Sequence, residues 1–165
     1  MYIYDKKTVL VTGASTGIGY ALAKELAKKG SKLILTATAR SEDKLHMLAN
    51  DLKSSGSEAH VFIKDLSIIG AAEELFNEIK STGLDIDLLI NNAGYGRWGE
   101  LTSIGRDDYA SMIQLNIVAL TDLCHLCIPD MISKGGGGII NVGSMASLSP
   151  IPYAGIYSSS KAYVL

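Results

Sequence analysis

Apolar residues in this chain come in short blocks, separated by stretches whose apolar positions recur at helical spacing. TVLVT (8–12) is a β-rich apolar run, followed by glycines and then YALAKELAKK (20–29), an amphipathic helix. SKLILTATA (31–39) predicts a second strand. SEDKLHMLANDLKSS (41–55) predicts a helix opening with serine and acids, as a helix N-terminus prefers. AHVFI (59–63) predicts a third strand, GAAEELFNEIKST (70–82) a helix and DLLIN (87–91) a fourth strand. One long helix is expected from about Arg106 to Ser133, with apolar positions that include Met112, Leu115, Leu120, Leu123 and Cys127. GGGG (135–138) is a loop, IINVG (139–143) a fifth strand, SPIP (149–152) a break, and a last helix starts near Ala154. Strands and helices alternate, and the strands are apolar on nearly every residue. That pattern predicts a doubly wound parallel sheet with helices on both faces and right-handed crossovers, an α/β fold in three layers. No linker or repeat interrupts it, so residues 1–165 are expected to form one unit.

Composition narrows the function. The chain has 165 residues, 47% hydrophobic and 19% charged, which is a globular balance. A net charge of −2 gives no footing for a nucleic-acid partner. No apolar run in the sequence approaches the ~18–20 residues of a membrane span. The opening MYIYDKK lacks the apolar core of a signal peptide, so a cytoplasmic location without membrane partners is expected. Cys124 and Cys127 form CHLC, but a structural zinc site needs four ligands and there is no second CxxC. Both fall in an apolar helical pattern, where cysteine behaves as a small hydrophobe, so no metal is expected.

The glycines after the first strand carry the first chemical signal. Gly13, Gly17 and Gly19 lie between a strand and a helix, in TGASTGIG. A tight strand-to-helix turn needs glycine where φ is positive. A diphosphate approaching that turn needs a bare backbone, and the helix N-terminus offers unpaired N–H groups and a positive dipole end. The setting, first strand then first helix in a βαβ unit, is the one a dinucleotide-binding turn requires.

The spacing is GxxxGxG, and TGASTGIG resembles the cofactor turn of the classical short-chain dehydrogenase/reductase family. KDL after the third strand, NNAG after the fourth, LN in the long helix, GS after the fifth and YSSSK follow in the family's order. The resemblance runs from about Thr8 to Leu165. It implies a Rossmann-like sheet that binds NAD(H) or NADP(H) at the carboxyl ends of its strands. The implied activity is interconversion of a carbonyl and an alcohol in a small-molecule substrate, by hydride transfer.

Tyr157 and Lys161 stand four residues apart, on one face of a helix. Tyrosine titrates near ~10, and a neighbouring cation favours its phenolate. A proton carrier works best with a pKa near the working pH. By resemblance the tyrosine is the acid/base, and the lysine also holds the nicotinamide ribose. Ser144 lies just beyond the fifth strand, thirteen positions before Tyr157. A hydroxyl there can stabilise charge developing on a substrate oxygen, and the resemblance makes it the substrate-orienting serine. Asn116, inside the apolar helix, is expected to be paired because an unpaired amide there is costly. The resemblance gives it a proton-relay role. The expected tetrad is Asn116, Ser144, Tyr157 and Lys161.

Cofactor contacts carry over in the same way. Gly13, Ser15, Thr16, Gly17, Ile18 and Gly19 form the turn, Asp65 and Leu66 face adenine, and Asn92, Ala93 and Gly94 pass under the adenosine ribose. NAD selection usually needs an acid at the end of the second strand, and an arginine suits a 2′-phosphate. Here that strand ends in TATAR, with Arg40 and no acid before Glu42, which favours NADP(H) over NAD(H). The stretch from Gly30 to Arg40 is two residues longer than in relatives. Either Thr38 takes the arginine's place or the TA repeat loops out.

Family members continue beyond the YxxxK helix, so the chain is expected to be C-terminally incomplete. The missing parts supply further strands and much of the substrate pocket, and homo-oligomer contacts for a full-length protein. The fifth strand should then be an exposed sheet edge. A non-catalytic dinucleotide-binding or interaction module is the alternative reading, and a methyltransferase-like domain would share only the glycine turn. The pocket mouth is expected in YGRWGEL (95–101), where Tyr95 or Trp98 either lines it or packs on a surface loop.

Overall fold

β1 (Thr8–Thr12) is buried at every residue and lies at the centre of a five-stranded parallel sheet. The computed structural model describes residues 4–38 and 41–165. Arg40 lies outside the described residues.

The chain runs outward from β1 through α1 (Gly17–Lys28), β2 (Lys32–Ala37), α2 (Glu42–Ser54) and β3 (Ala59–Ile63). It then crosses back through α3 (Ala71–Ser81) to β4 (Leu88–Asn91) on the other side of β1. After α4 (Arg106–Ile113) and α5 (Leu120–Ser133) comes β5 (Gly138–Asn141), and the strand order is β3-β2-β1-β4-β5. The direction of travel reverses at β1, which opens a crevice at the carboxyl ends of β1 and β4, where ligands bind in such sheets.

Alternation along β1 sorts the core into two halves. Val9 and Val11 pack with Leu33, Leu35 and the apolar sides of α1 and α2, including Ala23, Leu45 and Leu48. Leu10 packs with Ile34 and Leu89 against Leu75 and Ile79 of α3 and Leu123 and Cys127 of α5. The doubly wound α/β architecture expected from the sequence is therefore the one formed.

Several local features differ from expectation. α1 begins at Gly17, so the glycine turn runs straight into the helix. β2 ends at Ala37 and β5 at Asn141, because each strand lasts only as long as its ladder: Ala37 pairs with Ile63, and Asn141 with Asn91. Ser41 stands at the N-cap of α2, but its hydroxyl makes no capping bond. A 3₁₀ turn over Met145–Ser147 precedes α6 (Gly155–Val164) and had no sequence signal.

β5 is the exposed sheet edge expected of the fifth strand, and so lacks the burial on both faces expected of the strands in general. It is half exposed, with Ile140 at 41%, and forms one edge of the sheet. The long helix also departs from expectation. It runs through a π-wound segment, Gln114–Ala119, which joins α4 to α5. The expectation that nothing in the chain is span-long is corrected by this unit. Arg106–Ser133 has 28 residues and a mean hydropathy of 1.5 over its most apolar window, enough to cross a membrane by length and composition alone. Polar residues interrupt the apolar run, yet its mean hydropathy still reaches 1.5. Met112, Asn116, Ala119, Leu123, Cys127 and Met131 are its buried residues, one stripe at helical spacing.

Candidate functional site

A cleft of about 400 Å³ opens at the carboxyl ends of the strands. Gly13, Ser15, Thr16 and Ile18 line it from the glycine turn, and Ala37 and Thr38 from the end of β2. Ala93 and Gly94 line it from beyond β4, and Tyr157 and Lys161 from α6. The crevice position and the strand-end residues explain why segments so distant in sequence meet there.

The turn is shaped by sterics. Gly13 has φ +65°, and a Cβ there would sit 2.9 Å from Ala93 Cα. A Cβ at Gly19 would meet both Gly13 O and Asn92 Nδ2 at 2.5 Å. Gly17 has φ +59° with open space around it. Of the predicted turn residues, Gly17 and Gly19 shape the loop without lining the cleft.

Thr12, which sequence reasoning missed, binds the turn to β4. Its hydroxyl accepts from the N–H groups of Asn92 (3.0 Å) and Ala93 (2.9 Å). Asn92 Nδ2 donates to Thr12 O at 2.9 Å and Gly13 O at 3.1 Å. The Asn92 side chain is thus committed to holding β1 and β4 ends together, although the residue also lines the cleft.

Asp65 is turned onto its own loop. Its Oδ1 accepts from Ser67 N at 3.0 Å and Ser67 Oγ at 2.6 Å, the geometry of an Asx turn. Leu66, buried, and Lys64 line the cleft on either side of it. Lys64 Nζ lies 3.4 Å from Glu74 and 3.3 Å from Glu78.

Lys161 is 6% exposed, and its Nζ donates to Val142 O at 2.8 Å. Burial pushes its pKa below the ordinary lysine value. Gly94 packs beside it: a Cβ there would lie 3.5 Å from Lys161 Nζ and 3.0 Å from Asn116 Oδ1. Asn116 sits in the π-wound segment, 1% exposed and fully paired. Its Oδ1 accepts from Tyr95 N (3.2 Å), and its Nδ2 donates to Tyr95 O (2.9 Å) and Ser160 Oγ (3.0 Å). π-wound turns recur at functional sites because the wider turn redirects a side chain.

Three of the four expected tetrad residues therefore converge around Gly94 and α6. Ser144 stands one residue beyond Gly143, which lines the cleft, while Ser144 itself does not. Its Oγ accepts from Ala146 N at 3.1 Å and caps the 3₁₀ turn. The Ser144 hydroxyl proton remains available to a further acceptor.

Further cleft residues escaped sequence reasoning: Thr36, Ser41, Lys64, Leu115, Val142 and Gly143. The rule that ligands sit beyond strand ends points to four of them. Thr36 Oγ1 is buried without a hydrogen-bond partner among the described residues. Cys124 and Cys127 are free thiols on α5, and Asn91 Nδ2 donates to Cys124 Sγ at 3.3 Å.

Comparison with known proteins gives the same picture. The sequence profile described as short chain dehydrogenase matches residues 7–165. A very-long-chain 3-oxoacyl-CoA reductase of Anas platyrhynchos is 36% identical over 162 residues, covering 94% of this chain and 50% of that protein. A short-chain dehydrogenase from Sphingobium yanoikuyae, solved with NADPH, superposes with a TM-score of 0.88 at 33% identity, covering 96% of this chain and 61% of that one. A short chain dehydrogenase/reductase from Burkholderia phymatum, solved with NAD, gives 0.90 at 30% identity, covering 99% and 58%. The chain spans about half the length of the curated relatives it matches.

Proposed function

Because this chain belongs to the short-chain dehydrogenase family, we propose that it is an NAD(P)(H)-dependent oxidoreductase interconverting a carbonyl and an alcohol. The observation that carries the reading is one cleft lined both by the glycine turn and by Tyr157 and Lys161. The residues present fit a dinucleotide. Gly13 and Gly94 keep the cleft floor free of side chains, the N-terminus of α1 faces it, and Thr36 Oγ1 on its wall is a buried hydroxyl with no partner among the described residues.

Gly13, Ser15, Thr16 and Ile18 would hold the diphosphate end, with the N-terminal N–H groups of α1 supporting negative charge. Ala37, Thr38 and Leu66 would line the adenosine portion, with Asn92, Ala93 and Gly94 below it. Gly17 and Gly19 act by shaping the turn, and Asp65 by holding its loop. When bound, the nicotinamide supplies or accepts the hydride. Tyr157 gives a proton to the carbonyl oxygen in reduction and takes it back in oxidation. Lys161 lends positive charge one helical turn away, and its ammonium has donors beyond the one used on Val142 O. Ser144 donates its hydroxyl proton to the substrate oxygen and steadies the developing charge. Asn116 fixes the Tyr95 backbone and α6 relative to each other.

The coenzyme we propose is NADP(H). Arg40 with no acid before Glu42, and hydroxyls of Thr38 and Ser41 on the cleft wall, support it. Calorimetric affinity for NADPH should exceed that for NADH, and Arg40→Asp should reverse the order. The curated relatives' action on 3-oxoacyl thioesters makes ketones the substrate class to try first. We also propose self-association through apolar residues exposed along α4 and α5, Ile113, Ile128 and Ile132 among them, which sedimentation would measure.

The reaction is tested by NADPH oxidation with a ketone. Tyr157→Phe should retain NADPH binding and lose turnover by at least ~100-fold. Equal turnover in wild type and Tyr157→Phe would end this reading.

A further inference from the structure

Trp98, in the loop between β4 and α4, lies against the ring of Tyr157. The ring centroids are 5.3 Å apart and tilted by 42°. The arrangement depends on a glycine two residues earlier. A Cβ at Gly96 would stand 2.6 and 2.7 Å from Trp98 ring carbons and 3.1 Å from Tyr157 Cδ2.

The loop is held on both sides of the indole. Before it, the Arg97 guanidinium pairs with Asp108 at 2.8 Å and lies 5.3 Å over the Tyr95 ring. Tyr95 Oη donates to Asp108 O at 3.1 Å. After it, Gly99 N donates to Tyr153 O at 2.9 Å, and Tyr153 is held at φ +61°, a strained conformation for tyrosine. Between these anchors the indole remains 58% exposed. A large aromatic ring fixed in place yet open to solvent, beside the candidate proton carrier, is a surface built to be covered by something apolar.

A groove of about 470 Å³ continues from the next residue in the chain. Gly99, Leu101, Tyr109, Tyr153, Ala154 and Ile156 line it, with Glu100 and the already paired Arg97 as its charged members. Leu101 and Tyr153 are both exposed.

We propose that Trp98 is a specificity-determining residue of the carbonyl site. It stacks on an aryl or alkyl group attached to the reacting carbonyl and so selects hydrophobic ketones over polyhydroxylated ones. This rests on the oxidoreductase reading and names the substrate class for the same site. A hydroxylated group laid on the indole would lose water without gaining a partner, which sets the direction of the selection.

Trp98 is the one tryptophan of the chain, so its emission reports directly on the ring. The protein is loaded with NADP⁺, which prevents reduction of an added ketone, and titrated with acetophenone, 2-octanone or dihydroxyacetone. Acetophenone and 2-octanone change the emission saturably, and dihydroxyacetone does not. By calorimetry, Trp98→Ala weakens acetophenone binding by about ten-fold, and Trp98→Phe restores most of it. NADP⁺ affinity changes by less than about two-fold in both variants, since neither touches the dinucleotide turn. Emission indifferent to acetophenone, wild-type affinity in Trp98→Ala, or dihydroxyacetone binding as tightly as acetophenone each overturns the proposal. Failure of the oxidoreductase reading is separate: it would show as no NADP⁺ binding, or as full turnover in Tyr157→Phe.

Discussion

Asn116 donates its side-chain amide to Ser160 Oγ at 3.0 Å, and this bond joins the π-wound segment to the helix that carries Tyr157 and Lys161. Ser160 is 1% exposed and its hydroxyl donates in turn to Tyr157 O at 2.7 Å. A chain of two bonds thus runs from the middle of the long helix to the backbone of the candidate acid/base.

Ser160→Ala leaves one amide hydrogen of Asn116 buried and unpaired. Urea unfolding should show a loss of about 1–3 kcal/mol. Asn116→Ala should cost at least as much, because it also frees the backbone N–H and C=O of Tyr95. The double variant should fall short of the sum, since the two residues share the bond. Strict additivity would mean that the two side chains do not meet.

The glycine turn separates two kinds of glycine. Gly17→Ala meets no atom, so its cost is that of a left-handed residue, about 1–2 kcal/mol. Gly19→Ala drives a methyl into Gly13 O and Asn92 Nδ2, both committed to the turn. It should destabilise more than Gly17→Ala and reduce NADPH affinity further. Calorimetry and unfolding of the two variants side by side check the order.

Lys161 makes stability depend on alkaline pH. Burial holds its pKa in the folded chain below the ordinary 10.5. Between that lowered value and 10.5, the unfolded chain holds the proton and the folded chain does not, so stability rises with pH. Below the lowered value both forms are protonated and the full burial penalty applies. The stability of wild type minus that of Lys161→Met should therefore increase from neutral pH towards 10.5. A difference that stays flat or decreases would contradict the buried ammonium.

The two thiols should be inert in the folded chain. Burial pushes the Cys127 thiol up to about 12, and raises Cys124 as well. Neither is a thiolate at neutral pH, and the thiolate is the reactive form. Iodoacetamide at neutral pH should label both sites readily only after denaturation, as mass spectrometry would count.

Strand and helix order, the glycine turn and the β1 and β3 bounds were legible in the sequence because they rest on local causes. Side-chain period, apolar runs and the conformational freedom of glycine act within a few residues of chain. The YxxxK spacing likewise fixes Tyr157 and Lys161 on one helical face before any tertiary contact forms. Where strands end was less legible, since β2 and β5 stop when their neighbours do.

Tertiary structure alone decided how these pieces meet. The π-wound register around Asn116 leaves no mark in the apolar pattern. Asn92 turned back onto Gly13, Asp65 turned onto Ser67, and Trp98 laid against Tyr157 through the gap at Gly96 all depend on partners brought together by the sheet. A sequence states which groups can pair at short range. Which distant group arrives first, and which side chain is thereby used up, follows only from the crossing of β1 and β4 and the packing of α6 beside them.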